Sequence, residues 1–178
     1  MQIRTILAGF AVAALTFSLA SRRADARAFI ATPGAQSQPA NHFTGFVGLS
    51  SIYDLELGGK YAWKIADPGF VPVINNSVFI EGSSFVTTTG HIFVAPLLLW
   101  CFHLHPMWSV YAEAGAELGF SFKSRTNDRY DDYYGGSPTR AGLSAAGGAF
   151  WRYSSNMWMR FEIDLRHSSG RVGLTWPL

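Results

Sequence analysis

The sequence predicts an all-β chain, an antiparallel up-and-down eight-stranded transmembrane β-barrel, on three observations. The first is the run Trp108 to Phe122. Trp108, Val110, Ala112, Ala114, Ala116, Leu118, Phe120 and Phe122 share one parity, while Tyr111, Glu113, Glu117 and small residues share the other. Successive strand side chains point to opposite faces, so this is a strand between two different media. A membrane-crossing strand needs about 9–11 tilted residues, and the run supplies them. The second observation is composition: charged residues are 15 %, aromatics 15 %, and glycines number 18 in 178 residues. That is little charge for a soluble domain and suits a barrel with a greasy outside and a crowded inside. The third is that similar alternation recurs along the chain between short turn signals.

The elements follow in order. Residues 1–28 read as a secretory signal: Arg4 gives a basic start, Ile6 to Leu19 an apolar stretch, and Ser18-Leu19-Ala20, Ala24-Asp25-Ala26 and Ala26-Arg27-Ala28 small-residue cleavage patterns. The apolar stretch is about 14 residues, short of the roughly 20 that a spanning helix needs. Residues 29–42 form a flexible N-terminal segment, and the barrel occupies 43–178. Strands are expected over 43–51, 55–64, 77–88, 91–104, 108–122, 141–153, 158–166 and the last residues from Arg171. The turn Ala66-Asp67-Pro68-Gly69 separates the second from the third, and His105-Pro106-Met107 precedes the opening run. Residues 167–170 read as a turn. The inward parity of 91–104 (Phe93, Ala95, Leu97, Leu99, Cys101, His103) is more apolar than a water-filled lumen would be. With the N-terminus on the periplasmic side, the long polar segment 123–140 falls outside.

The polar faces pool Glu56, Lys60, Lys64, Glu81, Glu113, Glu117, Arg152, Arg160, Glu162, Asp164, Arg166 and Arg171. Eight strands enclose a space that side chains can just fill, so these groups are expected to pair inside as a plug rather than line a pore. Trp63, Trp100, Trp108, Trp151 and Trp176, with Tyr153, lie near strand ends, as lipid-interface aromatics do. The alternative is a soluble periplasmic β-barrel that keeps its apolar face inside and binds a small ligand.

The stretches WSVYAEAGAELGF, AGLSAAGGAFWRY, MWMRFEIDL and RVGLTWPL resemble the small outer-membrane β-barrels of Gram-negative bacteria. The resemblance implies a monomer in the cell outer membrane. It also implies outer-membrane lipid and the barrel-insertion machinery as partners. Arg166-His167-Ser168-Ser169 is similar to the Arg-His-x-Ser stretch of the lipid A 3-O-deacylases, which implies His167 as base and Ser169 as nucleophile of an esterase. That family continues with Asn, where this chain has Gly170, and takes its acid from a later position; here the acid would come from elsewhere, such as Glu162 or Asp164. The preferred reading is non-enzymatic, porin-like in shape only, with a structural or surface-interaction role.

Other chemistry is thin. Net charge is +2 with no basic run, which excludes a nucleic-acid partner. Cys101 stands alone and reads as a small hydrophobe. His103 and His105 share a parity, but no acid or thiol beside them suits a metal, so neither metal nor cofactor is expected. Asp128, Asp131 and Asp132 lack an EF-hand spacing, and Tyr130, Tyr133 and Tyr134 are candidates for surface contact.

Overall fold

In the computed structural model, residues 29–35, 38–50, 55–122 and 139–178 are described. The expected signal at 1–28 and the Asp128, Asp131, Asp132 and Tyr130, Tyr133, Tyr134 candidates lie outside them. Eight strands follow in chain order: β1 Asn41–Leu49, β2 Leu55–Ala66, β3 Asn76–Thr87, β4 His91–His105, β5 Trp108–Ser121, β6 Thr139–Ser154, β7 Met157–Asp164 and β8 Ser169–Pro177. Each pairs antiparallel with its neighbour, and β8 pairs with β1, from His42↔Pro177 to Leu49↔Gly170, closing the barrel. Closure leaves no strand edge, as a sheet crossing lipid requires. Among the described residues no helix is long and apolar enough to cross a membrane.

The period-two pattern forms strands because each parity suits one medium. Odd residues of β4 and β5, even residues of β7 and odd residues of β8 point inward. Inside lie the charges, and outside lie Val47, Leu57, Ile80, Leu98, Val110, Leu118, Leu143, Ile163 and Leu174, among which Leu143 is 85 % exposed. A soluble barrel would have the reverse, so the apolar band requires lipid and the soluble alternative fails on this inversion. On β5 the outward residues from Trp108 to Phe120 span twelve steps. At about 3.3 Å per step and about 40° of tilt they rise about 30 Å, enough for an apolar band of about 25 Å.

Two rims bound the cylinder. The lower rim holds the start of β1 and the turns at 67–75, 106–107 and 155–156. The upper rim holds the ends of β1, β3, β5 and β7, with the turns at 88–90 and 165–168. Near the lower rim the interior is apolar and close-packed by Ala62, Phe79, Leu99, Cys101, Tyr111, Phe150 and Trp158. This explains the apolar inner face of β4: the space is filled, so Leu97, Leu99 and Cys101 meet side chains rather than water. A second cluster of Phe46, Phe85 and Phe93 sits nearer the upper rim, and the charges lie between and around the two. Gly148 permits the closest approach in the lower half, since a Cβ there would collide with the Phe161 carbonyl oxygen and lie 2.6 Å from the Tyr111 hydroxyl.

Several boundaries differ from expectation. β1 begins at Asn41, so His42 is a strand residue and points inward. β7 ends at Asp164 and β8 begins at Ser169, so Ser169 belongs to a strand rather than to a turn. The turn itself, residues 165–168, is tight and carries Ser168 at φ +49°. β4 bulges between His103 and His105, which separates two side chains that period two would align. His103 is inward between the Ser77 and Ser109 hydroxyls at 2.8 and 3.0 Å, whereas His105 Nδ1 accepts from the Met107 amide at the turn.

Candidate functional site: the charged interior

The ion network is built from four strands whose inward parities meet at mid-height. β2 supplies Lys60, β3 Glu81, β5 Glu113 and Tyr111, and β7 Arg160 and Glu162. Lys60 Nζ lies 2.5 Å from Glu113 Oε1, 2.7 Å from Glu162 Oε2 and 3.4 Å from Glu81 Oε1. Arg160 forks onto Glu81, Nη1 to Oε2 at 2.6 Å and Nη2 to Oε1 at 3.1 Å, and Nη2 also reaches Glu113 Oε2 at 2.5 Å and Glu162 Oε2 at 2.8 Å. The Tyr111 hydroxyl accepts from Arg160 Nε and donates to Glu162 Oε2, both at 2.8 Å. The guanidinium lies 4.5 Å from the Tyr111 ring centroid and 5.2 Å from that of Phe150. Two cations thus hold three carboxylates, all nearly inaccessible: Lys60 is 2 % exposed and Glu81 0 %. Groups this deep persist only because each carboxylate shares a cation and its hydrogen bonds.

A second tier lies toward the upper rim. Arg171 of β8 bonds Glu56 Oε2 of β2 at 2.6 Å, Glu162 Oε1 at 2.9 Å and Asp164 Oδ2 at 2.8 Å. It rests against Phe85 and Phe46, 4.5 and 5.2 Å from their centroids. Above it, Glu117 Oε1 meets Arg166 Nε at 3.2 Å and His167 Nε2 at 3.0 Å. Between the tiers, the gap lined by Phe46, Lys60, Arg160, Glu162, Arg171 and Gly173 is too narrow to admit a water molecule.

The expected lumen residues separate into three groups. Glu81, Glu113, Arg160 and Glu162 form the centre; Asp164, Arg171, Glu117 and Arg166 form the upper tier; Arg152 joins neither. Its strand is bulged at the lower rim, and its guanidinium donates to the Ser154 and Ser155 carbonyls. Lys64, also in the pooled polar face, pairs with Asp67 at 2.9 Å near the same rim. Tyr111 is the participant that residue chemistry alone passed over; its inward parity beside Glu113 was the available signal.

His167 and Ser169 both point inward, and Ser169 is 1 % exposed. The Ser169 hydroxyl donates to Glu56 Oε2 at 3.3 Å; the acid bonded to the His167 ring is Glu117, while Asp164 accepts from the His167 amide. Outside, Trp108 stacks on Trp151 and Trp176 on Phe43, while Trp100 donates to Asn76 Oδ1 at 2.9 Å. Trp63 is 62 % exposed. These five outward tryptophans sit toward the lower rim, as the register pairs Asn41↔Trp63, Val78↔Trp100, Trp108↔Trp151 and Phe43↔Trp176 require.

Closure, an inverted polarity and a filled interior together define an eight-stranded transmembrane β-barrel. Among solved structures the chain is similar to two de novo designed transmembrane β-barrels. One, from the work titled "De novo design of transmembrane beta-barrels", has 16 % identity over 78 % of this chain and 96 % of its own, TM-score 0.54. The other, TMB2.3 solved by NMR in solution, has 12 % identity over 79 % and 94 %, TM-score 0.56. The outer membrane enzyme PagL aligns at 10 % identity over 77 % of this chain and 99 % of its own, TM-score 0.49. The likeness to the two designed barrels is one of fold. No protein-family model matches the chain, and no curated protein matches it.

Proposed function

We propose that the protein is a monomeric outer-membrane β-barrel with a closed, non-conducting interior and a structural or surface-interaction role. The observation that supports this is the interior itself: among the described residues the two ion tiers leave between them a gap too narrow for water, which blocks the axis at mid-height. In this reading outer-membrane lipid surrounds the apolar band, and the barrel-insertion machinery delivers the chain there. The inward aim of Ser169, with its hydroxyl on Glu56, supports a non-catalytic reading, because an acyl ester held in the surrounding lipid would meet the outer face instead.

The test is threefold. Membrane fractionation recovers the protein in the outer membrane with a heat-dependent shift in gel mobility. The purified barrel in a planar bilayer passes no discrete current. His167→Ala leaves the lipid A profile of an expressing host unchanged. Stable ohmic steps sink the closed interior, and a His167-dependent loss of acyl chains sinks the non-enzymatic role.

A further inference from the structure

Beneath the upper rim, Glu117 of β5, Asp164 at the end of β7 and His167 in the turn bring one nitrogen and two carboxylate donors within 4.8 Å of one another. All three residues are buried. We propose that they form a binding site for a divalent transition-metal ion of the zinc class.

The donor spacing supports it. His167 Nε2 lies 3.0 and 3.1 Å from the two Glu117 oxygens. Donors around one tetrahedral zinc, at bonds of about 2.0–2.2 Å, stand about 3.3–3.5 Å apart. His167 and Glu117 are therefore nearly at ligand separation, and from a spread of 4.8 Å Asp164 needs to close by at most about 1.4 Å. The donors come from separate places in the fold, so binding would cross-link β5 to the β7–β8 turn.

The surroundings resemble the outer shell of a metal site. The His167 ring is held edge-on by Phe85 and Phe93, with centroids 5.4 and 4.7 Å away. Asp164 Oδ1 accepts from the His167 amide at 2.9 Å, which couples two ligands through the backbone. Arg171 holds Asp164 Oδ2, and Arg166 approaches Glu117 Oε1. These guanidinium groups oppose a cation, but Arg171 is shared among Glu56, Glu162 and Asp164. Glu162 also belongs to the Lys60 and Arg160 tier. At this level Glu56, Glu117 and Asp164 meet Arg166 and Arg171 in ion pairs, and Arg140 of β6 is also buried toward the same rim. One imidazole with two carboxylates suits zinc-class ions better than calcium, which takes six to eight oxygens. Ligation through Nε2 leaves the ring proton on Nδ1 and releases any second proton to solvent.

The experiment uses the full barrel, refolded in detergent without a histidine tag and stripped with chelator. Zinc is titrated by calorimetry, and cobalt by its visible absorption. The expected result is one equivalent of zinc, an upward shift of the thermal mobility transition, and a four- or five-coordinate cobalt spectrum. Excess magnesium or calcium displaces neither. His167→Ala and Glu117→Gln, shown to be folded by gel mobility, lose saturation at concentrations that fill the parent. The proposal is overturned by absence of one-equivalent binding in the parent, by displacement with magnesium, or by folded variants that bind as the parent does. If both variants fail to fold, the parent's cobalt spectrum decides: octahedral, weakly absorbing cobalt overturns the site.

Discussion

Replacing Arg160 by methionine tests how dry the barrel centre is. The substitution keeps much of the apolar stem and removes the guanidinium. Glu81, fully buried, loses both arms of its fork, at 2.6 and 3.1 Å, and keeps Lys60 at 3.4 Å as its cation. Glu113 and Glu162 lose contacts of 2.5 and 2.8 Å. Breaking one buried pair costs about 3–5 kcal/mol because the remaining charge stays desolvated. Three carboxylates are affected here, so the expected loss is at the top of that range. The assay is urea unfolding of the barrel in lipid vesicles, followed by tryptophan fluorescence and by heated against unheated gel mobility. The companion Glu81→Leu/Arg160→Met removes a charge of each sign and should be less destabilised than Arg160→Met alone. A loss below about 1 kcal/mol, the size of an exposed pair, would refute the reasoning and place water in the network. So would a double variant worse than the single.

Further outcomes follow from the same contacts. Tyr111→Phe removes a hydroxyl bonded to Arg160 and Glu162 and should cost about 1.5–3 kcal/mol in the same unfolding assay, as hydrogen bonds to charged groups do. Gly148→Val inserts carbon against the Phe161 carbonyl and the Tyr111 hydroxyl; overpacking of this kind costs about 1–3 kcal/mol, read as a lower urea midpoint. Leu98→Arg puts charge on the outward face at mid-height, where lipid imposes about 2–4 kcal/mol, read as reduced folding into vesicles. Unimpaired folding of Leu98→Arg would mean that water touches that face.

Much of this was legible in the residues because strand parity is local. The run Trp108–Ser121 carries its inside and outside in its own alternation, and so does β7. That both ion signs point inward also followed from parity. Which acid meets which base did not, since Lys60 and Glu113 are joined across the lumen by barrel stagger, and no local pattern encodes it. Bulges defeated parity elsewhere: Arg152 reads as inward but reaches the lower rim, and His105 departs from His103. Ser169 read as turn because Ser and Gly are turn residues, yet its pairing with Asp164 begins β8. The acid beside His167 lies fifty positions earlier, on a strand brought near only by closure.

The tryptophans gathered at one rim give the barrel a single waterline. Indole rings favour the headgroup layer, so Trp63, Trp100, Trp108, Trp151 and Trp176 fix the depth of that end. At the other rim the outward residues Leu49, Leu55, Phe120, Phe122, Leu143 and Leu165 resist leaving hydrocarbon but have no headgroup preference to satisfy. Among the described residues, a bilayer that thickens or thins therefore meets an aromatic boundary below and an aliphatic and phenyl one above. The barrel rides like a float ballasted at its keel, and on the described residues changes in membrane thickness are taken up at the rim where β5 ends and β6 begins.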